Sequence, residues 1–230
     1  RDTEFKAVVN AKARELTECN HSPTHLLQYA LQQVLGSHVE QKGSLVTPEH
    51  LRFDFSHFQK MTDEEIRKTE QIVNQLIRSD YALQEYRDMP INEAKAMGAK
   101  ALFGEKYGDK VRVIKFGDSM ELCGGTHISS TGKIGFFKIV SESAIAAGIR
   151  RIEAVTSDNA EKFIFEQVDT IATIKELLKN PVNLTKQVEQ LVAENAKLQK
   201  QLEAFEKQQT QQVAKELLKE TETKNNISLI

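Results

Sequence analysis

Two stretches decide how this chain folds: His21-Ser22-Pro23-Thr24-His25 and Cys123-Gly124-Gly125-Thr126-His127. Each stretch holds two metal-ligand side chains with three residues between them. Together they supply three imidazoles and one thiolate, a complete tetrahedral set for Zn²⁺, which accepts nitrogen and sulfur donors together. Because a long segment separates the two stretches, a shared metal would join two distant parts of one fold. We therefore predict a zinc site whose four ligands are His21, His25, Cys123 and His127.

This ligand set is compatible with a structural or a catalytic metal. A zinc ion with four protein ligands is usually structural, whereas a catalytic zinc usually keeps one position for water. The residues alone therefore favour a structural metal, and catalysis would require one ligand to be replaced by water. The HExxH pattern of zinc proteases does not fit, because Ser22 follows His21 where that pattern has the Glu that acts as general base.

The local pattern places the first histidine at the entry of a helix. Pro23 suits the first helical position, where a missing N–H costs no hydrogen bond, and Ser22 suits the N-cap. The apolar residues that follow predict a helix over residues 24–35, ended by Gly36. We therefore expect His21 to lie just outside this helix, so that His21 and His25 converge through its entry turn.

Composition excludes several classes of protein. The chain has 230 residues, 40% hydrophobic and 28% charged, enough for one core with a helical appendage or for two small domains. A formal net charge of -2 gives no field that would attract DNA, and no apolar run is long enough to span a membrane. Two cysteines are too few for a disulfide framework, which fits a reducing, cytoplasmic location. The chain opens with Arg1 rather than Met, so we expect it to be a part of a larger protein.

The character of the chain changes near residue 165. Before that point, strand and helix patterns follow one another without a regular βαβ order, which is typical of an α+β fold. Beyond it, residues recur at gaps of four and three as in a heptad seam, namely Leu184, Val188, Leu191, Asn195, Leu198, Leu202 and Phe205. We predict a compact domain over residues 1–165 and a helical coiled-coil arm over residues 166–230. The arm is expected to self-associate through residues 184–209.

Gln41 has two interpretations. In a strand, the alternation of side chains puts Gln41 on the same face as Val39 and Gly43, from which its amide can point into the metal pocket. The other interpretation is a surface glutamine, and the residues alone favour that one because glutamine is mostly exposed.

Five segments, taken in order, resemble the alanyl-tRNA synthetase family: HSPTHLL (21–27), QKGSLV (41–46), LRFDF (51–55), CGGTH (123–127) and GIRRIE (148–153). The resemblance covers nearly the whole chain and is to the editing domain and the start of the following coiled-coil region. It implies a two-layer mixed α/β editing domain with a bound metal, followed by a long helical coiled-coil arm. The family's ATP-binding and amino-acid-activating motifs do not occur in this sequence, so we do not expect the chain to charge tRNA.

The resemblance also implies an activity and a partner. An editing domain of this kind is an aminoacyl-tRNA deacylase, which hydrolyses tRNA(Ala) wrongly charged with serine or glycine. The family's zinc ligands fall on His21, His25, Cys123 and His127. Two positions linked to amino-acid discrimination and turnover fall on Thr24 and Gln41, which reverses the surface interpretation of Gln41. Pro23 departs from the family pattern, which more often has a small residue there.

Two other functions remain as alternatives. One is a zinc-stabilised tRNA-docking and oligomerisation module that has no activity without its parent protein. The other is a free-standing trans-editing deacylase, which the long arm and the first residue, Arg1, disfavour.

Overall fold

A computed structural model describes residues 5–101, 107–219, 222–224 and 227–229. The helices are α1 (Ala11–Leu35), α2 (Asp63–Arg78), α3 (Ile91–Ala96), α4 (Ser157–Leu177) and α5 (Leu184–Lys219), and a 3₁₀ turn covers Thr131–Ile134. The strands are β1 (Gln41–Val46), β2 (Leu51–Ser56), β3 (Gln84–Pro90), β4 (Lys110–Phe116), β5 (Ser119–Leu122), β6 (Phe137–Ala146), β7 (Ile149–Thr156), β8 (Glu222–Lys224) and β9 (Ile227–Leu229). Contacts between residues divide the chain into one unit that ends at Glu166 and another that begins at Gln167.

The described residues of the first unit have a mixed α/β architecture, with two antiparallel sheets and three α-helices before α4. One sheet has the strand order β1-β2-β7-β6, and the other has the order β3-β4-β5. Phe53 and Phe55 on β2 and Phe137 on β6 are fully buried, and they share one core with Leu26 and Leu31 of α1. Because burial of a large apolar side chain contributes about 1.5–3 kcal/mol, this core ties α1 to the four-stranded sheet.

The helix α1 corrects the predicted position of Pro23. Pro23 lies inside one continuous helix, so Ser22 is not its N-cap and His21 is not outside it. The N-cap is Asn10, whose Oδ1 accepts a hydrogen bond from the N–H of Ala13 at 3.0 Å. The predicted end is confirmed: Gly36 closes the helix with a φ of 113°, in the region that favours glycine.

A tertiary contact explains how α1 continues through a proline. Pro23 has no N–H to donate to the carbonyl of Cys19, four residues earlier. The hydroxyl of Thr156, at the end of β7, lies 3.0 Å from that carbonyl oxygen and 2.7 Å from Oδ1 of Asn20. Both acceptors are buried and share the hydroxyl hydrogen, so the Cys19 carbonyl keeps a donor although the helix cannot supply one.

The helix α2 begins as its sequence predicts. The side chain of Thr62 accepts a hydrogen bond from the N–H of Glu65 at 3.2 Å, and the Glu65 carboxylate accepts one from the N–H of Thr62 at 2.7 Å. This reciprocal pair is the capping box expected from the spacing of the two residues.

In the described residues, the second unit contains the end of α4, the long helix α5 and the short strands β8 and β9. α5 runs for 36 residues, and its heptad positions leave apolar side chains exposed, including Leu198 at 56% and Leu202 at 57%. A helix is therefore present where the arm was predicted, while its pairing into a coiled coil stays a prediction. Across the described part of the chain, no helix combines the length and the apolar character needed to cross a membrane.

Candidate metal centre

The four predicted ligands come together at one point of the first unit. One potential ligand atom from each of His21, His25, Cys123 and His127 lies within 4.8 Å of all the others. The sulfur of Cys123 is 3.3 Å from Nε2 of His127 and 3.6 Å from Nε2 of His21. His25 and His127 are buried, whereas His21 and Cys123 are half-buried, so the cluster has one face near the surface.

Two elements deliver these side chains. His21 and His25 lie one turn apart on α1, which puts them on the same face of the helix, with ring centroids 5.5 Å apart. Cys123 directly follows β5, and His127 lies four residues further along the loop. The helix therefore supplies two nitrogen ligands, and the loop supplies the sulfur and the third nitrogen.

The loop that carries Cys123 is held in shape by Arg112 of β4. The guanidinium of Arg112 donates to the carbonyl oxygens of Cys123, at 3.0 Å, and Gly125. The backbone N–H of Cys123 donates in return to the carbonyl of Arg112 at 3.1 Å. A β-carbon at Gly125 would lie 2.2 Å from Cε1 of His21, so a side chain there would displace the imidazole.

Each of the three histidines in the cluster has a hydrogen-bond partner at Nδ1. Nδ1 of His21 lies 2.9 Å from the Thr126 carbonyl oxygen, and Nδ1 of His127 lies 3.2 Å from Oγ of Ser22. Nδ1 of His25 contacts the carboxylate of Glu121. Because carbonyl and carboxylate oxygens only accept, His21 and His25 carry a hydrogen on Nδ1 and turn Nε2 toward the cluster. Such outer partners are the usual means of orienting histidine ligands.

The pKa values of Cys123 and His127 favour the forms that bind metals. Burial raises the pKa of the Cys123 thiol, but the neighbouring imidazoles of His127, His21 and His25 outweigh burial and lower it to about 3. Burial, reinforced by the neighbouring histidines, lowers the pKa of His127 to about 4. At neutral pH these two side chains are therefore a thiolate and a neutral imidazole, the forms that coordinate a metal.

The pKa of His25 is shifted in the opposite direction. Burial lowers it, but the charge of Glu121, the neighbouring Cys123 thiolate and the hydrogen bond to Glu121 raise it to about 10. Without a metal, the imidazole of His25 is therefore protonated at Nε2, the nitrogen that faces the thiolate. A metal cation would displace that proton, and metal binding would release it to solvent.

The residues present fit a zinc ion. Within the described residues, Nε2 of buried His25 has no hydrogen-bond partner, a rare condition for a buried nitrogen and one that a metal would relieve. One thiolate with three imidazoles is a donor set that zinc accepts in tetrahedral geometry. The ligand roles themselves stay a prediction.

Thr24 and Gln41 lie in different surroundings. Thr24 is buried beside the ligands on α1, where its hydroxyl donates to the carbonyl of His21 at 2.7 Å. Gln41 is half-buried on β1, and its amide donates to Oγ of Ser44 at 3.0 Å. It lines a cavity of about 270 Å³ with Gln28 and other residues. A larger cavity, of about 810 Å³, reaches His127 and the Cys123 loop, and neither Thr24 nor Gln41 is among its lining residues.

Three residues that support the cluster were not predicted from the sequence: Ser22, Arg112 and Glu121. The place of Glu121 near the cluster could have been predicted, because Glu121 lies two residues before Cys123 and therefore on the same face of an extended chain. No sequence pattern predicts the roles of Arg112 and Ser22, because their contacts depend on how α1, β4 and the loop pack together.

Comparisons with known proteins identify relatives of this chain. A family model described as the threonyl and alanyl tRNA synthetase second additional domain matches residues 111–153, which include most of β4, all of β5 and the Cys123 loop. This segment is therefore similar to a domain described for these two kinds of tRNA synthetase.

Curated relatives extend the similarity to almost the whole chain. An alanine–tRNA ligase of Parabacteroides distasonis is 53% identical over 98% of the chain, and one of Cytophaga hutchinsonii is 58% identical over 96%. One of Porphyromonas gingivalis is 54% identical over 98%. The chain spans 26% of the length of each of these relatives. It is homologous to a segment of the alanyl-tRNA synthetases, as the sequence motifs predicted.

Proposed function

We propose that the first unit is the editing domain of an alanyl-tRNA synthetase and that it hydrolyses tRNA(Ala) wrongly charged with serine or glycine. The observation that carries this proposal is the convergence of His21, His25, Cys123 and His127 in a chain homologous to alanine–tRNA ligases. In this proposal, residues 1–165 form the zinc-containing editing domain of an enzyme that attaches alanine to tRNA(Ala) at another site.

The need for a second site follows from the limits of amino-acid recognition. A pocket built for alanine cannot strongly reject serine, which adds only a hydroxyl, or glycine, which is smaller. A separate pocket with hydrogen-bonding groups for the serine hydroxyl discriminates better, because bound alanine would leave those groups unpaired. We assign this role to Thr24 and Gln41.

The 810 Å³ cavity beside His127 supports a role in binding the end of a tRNA. Its lining includes the backbone of Gly124 and Gly125 and the basic side chains of Arg14, Lys110 and Arg112. Acidic side chains, among them Glu18 and Glu85, lie on the same wall and limit its positive charge. We infer that this cavity admits the aminoacylated terminus, with the cations near its phosphates.

Zinc is the metal that we propose for the cluster. His21, His25 and His127 would hold it through Nε2, and Cys123 through its thiolate. When bound, zinc polarises a water molecule or a carbonyl oxygen. Arg112 and Gly125 keep the loop in the shape that brings the thiolate to the histidines, and Thr24 adjoins the ligands on α1.

The second unit is proposed to be the start of a coiled-coil arm, over residues 166–230. Its exposed heptad positions on α5 support pairing with another helix, and we propose self-association through residues 184–209. The small number of cysteines supports a location in the cytoplasm.

The decisive experiment compares hydrolysis of Ser-tRNA(Ala) and Ala-tRNA(Ala) by this chain, with zinc quantified in the same preparation. Selective loss of serine would establish an autonomous editing domain. Equal stability of both esters, despite bound zinc, would contradict autonomous editing and favour the docking module.

The docking and oligomerisation module is the second candidate function. The complete set of four protein ligands favours it, because zinc sites of that kind are usually structural. Chelation separates the two: unfolding after zinc removal indicates a structural metal, whereas a retained fold with lost hydrolysis indicates a functional one. A free-standing deacylase would act on Ser-tRNA(Ala) in trans, without a synthetase attached.

A further inference from the structure

The carboxylate of Glu121 is buried against His25, one of the two buried members of the ligand cluster. Its side chain is 5% exposed, and it contacts the His25 imidazole, which is 6% exposed. A buried carboxylate is unfavourable unless it is hydrogen-bonded or paired with a cation. Within the described residues, Oε1 of Glu121 has no hydrogen-bond partner, so the contact with His25 is the hydrogen bond that the structure shows for this carboxylate, and the positive charge of Lys100 adds an electrostatic attraction.

The three histidines of the cluster differ in the charge of their Nδ1 partners. His21 faces the carbonyl of Thr126 and His127 faces the hydroxyl of Ser22, which are both neutral. Only His25 faces a carboxylate, and a charge-assisted hydrogen bond of this kind is about twice as strong as a neutral one. The imidazole of His25 is therefore the most strongly oriented of the three.

The position of Glu121 in the chain couples it to the sulfur ligand. Glu121 is on β5 and Cys123 directly follows that strand, so one extended segment places both side chains. The strand is fixed on one side by pairing with β4, and on the other by backbone hydrogen bonds to Lys100 at 2.9 and 2.8 Å. The same rigid segment therefore fixes the distance between the Glu121 carboxylate, which accepts from His25, and the Cys123 thiolate.

We propose that Glu121 is a positioning residue that holds a hydrogen on Nδ1 of His25 and turns its Nε2 toward the metal. Metal affinity then depends on a side chain that does not itself touch the metal. This inference rests on the proposed zinc site. Removal of a carboxylate partner of a metal-bound histidine typically lowers affinity by about 10–100-fold, and we expect a loss in this range.

The test is a titration of the metal-free full chain with Zn²⁺ against a competing chelator. Glu121→Gln keeps the size of the side chain and removes its charge, and it should weaken binding by about 10–100-fold. Glu142→Gln is the matched control, since Glu142 is another buried carboxylate, with a side chain 2% exposed, and its partner is Arg150 on β7. This control is expected to lower stability and to leave zinc affinity unchanged.

The outcomes separate this inference from the zinc site itself. Wild-type zinc affinity in a folded Glu121→Gln protein would overturn the role of Glu121 and leave the zinc site standing. Absence of zinc binding by the wild-type chain would overturn both.

A second measurement needs no variant. Long-range ¹H–¹⁵N spectra of the zinc-loaded wild-type chain report which nitrogen of His25 carries the proton. A proton on Nδ1 is expected, and a proton on Nε2 would overturn the proposal even if Glu121→Gln fails to fold.

Discussion

The hydroxyl of Thr156 lies 3.0 Å from the carbonyl oxygen of Cys19, the helix acceptor that Pro23 leaves without a backbone donor. The contact joins the last residue of β7 to the middle of α1. It allows α1 to continue past Pro23, which keeps His21 and His25 on one helical face. The arrangement of two metal ligands therefore depends on a hydroxyl from a distant strand.

Thr156→Val is expected to destabilise the first unit by about 1–3 kcal/mol, because it leaves buried acceptors at Cys19 and Asn20 without their donor. Chemical denaturation measures this loss. The cost should fall when Pro23→Ala is also present, because alanine restores a backbone N–H for the Cys19 carbonyl. Thr173→Val, at an exposed position of α4, should have little effect. Equal costs of Thr156→Val with and without Pro23→Ala would contradict this account.

Cys123→Ala is expected to lower the zinc content of the purified chain well below one ion per molecule, because it removes the thiolate ligand. Elemental analysis measures the content directly. Cys19→Ala is the control, since Cys19 is a core residue and should leave zinc content unchanged. A Cys123→Ala protein with the zinc content of the wild type would refute the ligand assignment.

Alkylation of the metal-free chain should distinguish the two cysteines by their pH dependence. The pKa of Cys123 is lowered to about 3, so its thiolate persists as the pH falls and its reaction with iodoacetamide should be nearly constant between about pH 8 and about pH 5. Burial raises the pKa of Cys19, so that thiol should react little over the same range. Peptide mass spectrometry measures both rates in one sample. A tenfold fall in Cys123 reactivity for each pH unit would show an ordinary thiol.

Gln41→Ala is expected to keep bound zinc and to slow hydrolysis of Ser-tRNA(Ala) by about 10–100-fold, the effect of losing about 1.4–2.7 kcal/mol of hydrogen bonding in the transition state. Thr24→Val should act in the same direction, because it removes the hydroxyl that lies beside the ligands on α1. Gln33→Ala changes an exposed glutamine of α1 and is the matched control. Full activity of the Gln41→Ala protein would show that Gln41 has no role in hydrolysis.

Self-association through α5 should depend on the heptad seam. Leu198→Glu places a charge on the seam and is expected to shift the chain toward the monomer in sedimentation experiments. Lys200→Glu adds the same side chain off the seam and should not. A wild-type chain that stays monomeric at high concentration would exclude this mode of assembly.

The sequence was most informative where local chemistry decides the structure. The capping box at Thr62 and the end of α1 at Gly36 were predicted because each depends on residues within one turn. The four metal-type side chains were recognisable as a set because histidine and cysteine in paired spacing are uncommon outside metal sites.

The sequence was least informative where a distant residue changes a local preference. Pro23 normally marks a helix start, and the residue that overrides this preference, Thr156, lies on another element. The place of Gln41 in a cavity separate from the one beside His127 also depends on packing, which side-chain alternation along one strand does not reveal. The strand β5 was too short to stand out from its neighbours.

The distance along the chain between His21 and Cys123, 102 residues, also has a consequence for synthesis on the ribosome. At translation rates of about 5–20 residues per second, the two halves of the cluster emerge roughly 5–20 s apart. During that interval the nascent chain has only two imidazoles of the set, which bind a cation weakly. All four side chains would therefore be available to a metal only once the Cys123 loop has emerged, and β6 and β7 of the four-stranded sheet are synthesised after that loop.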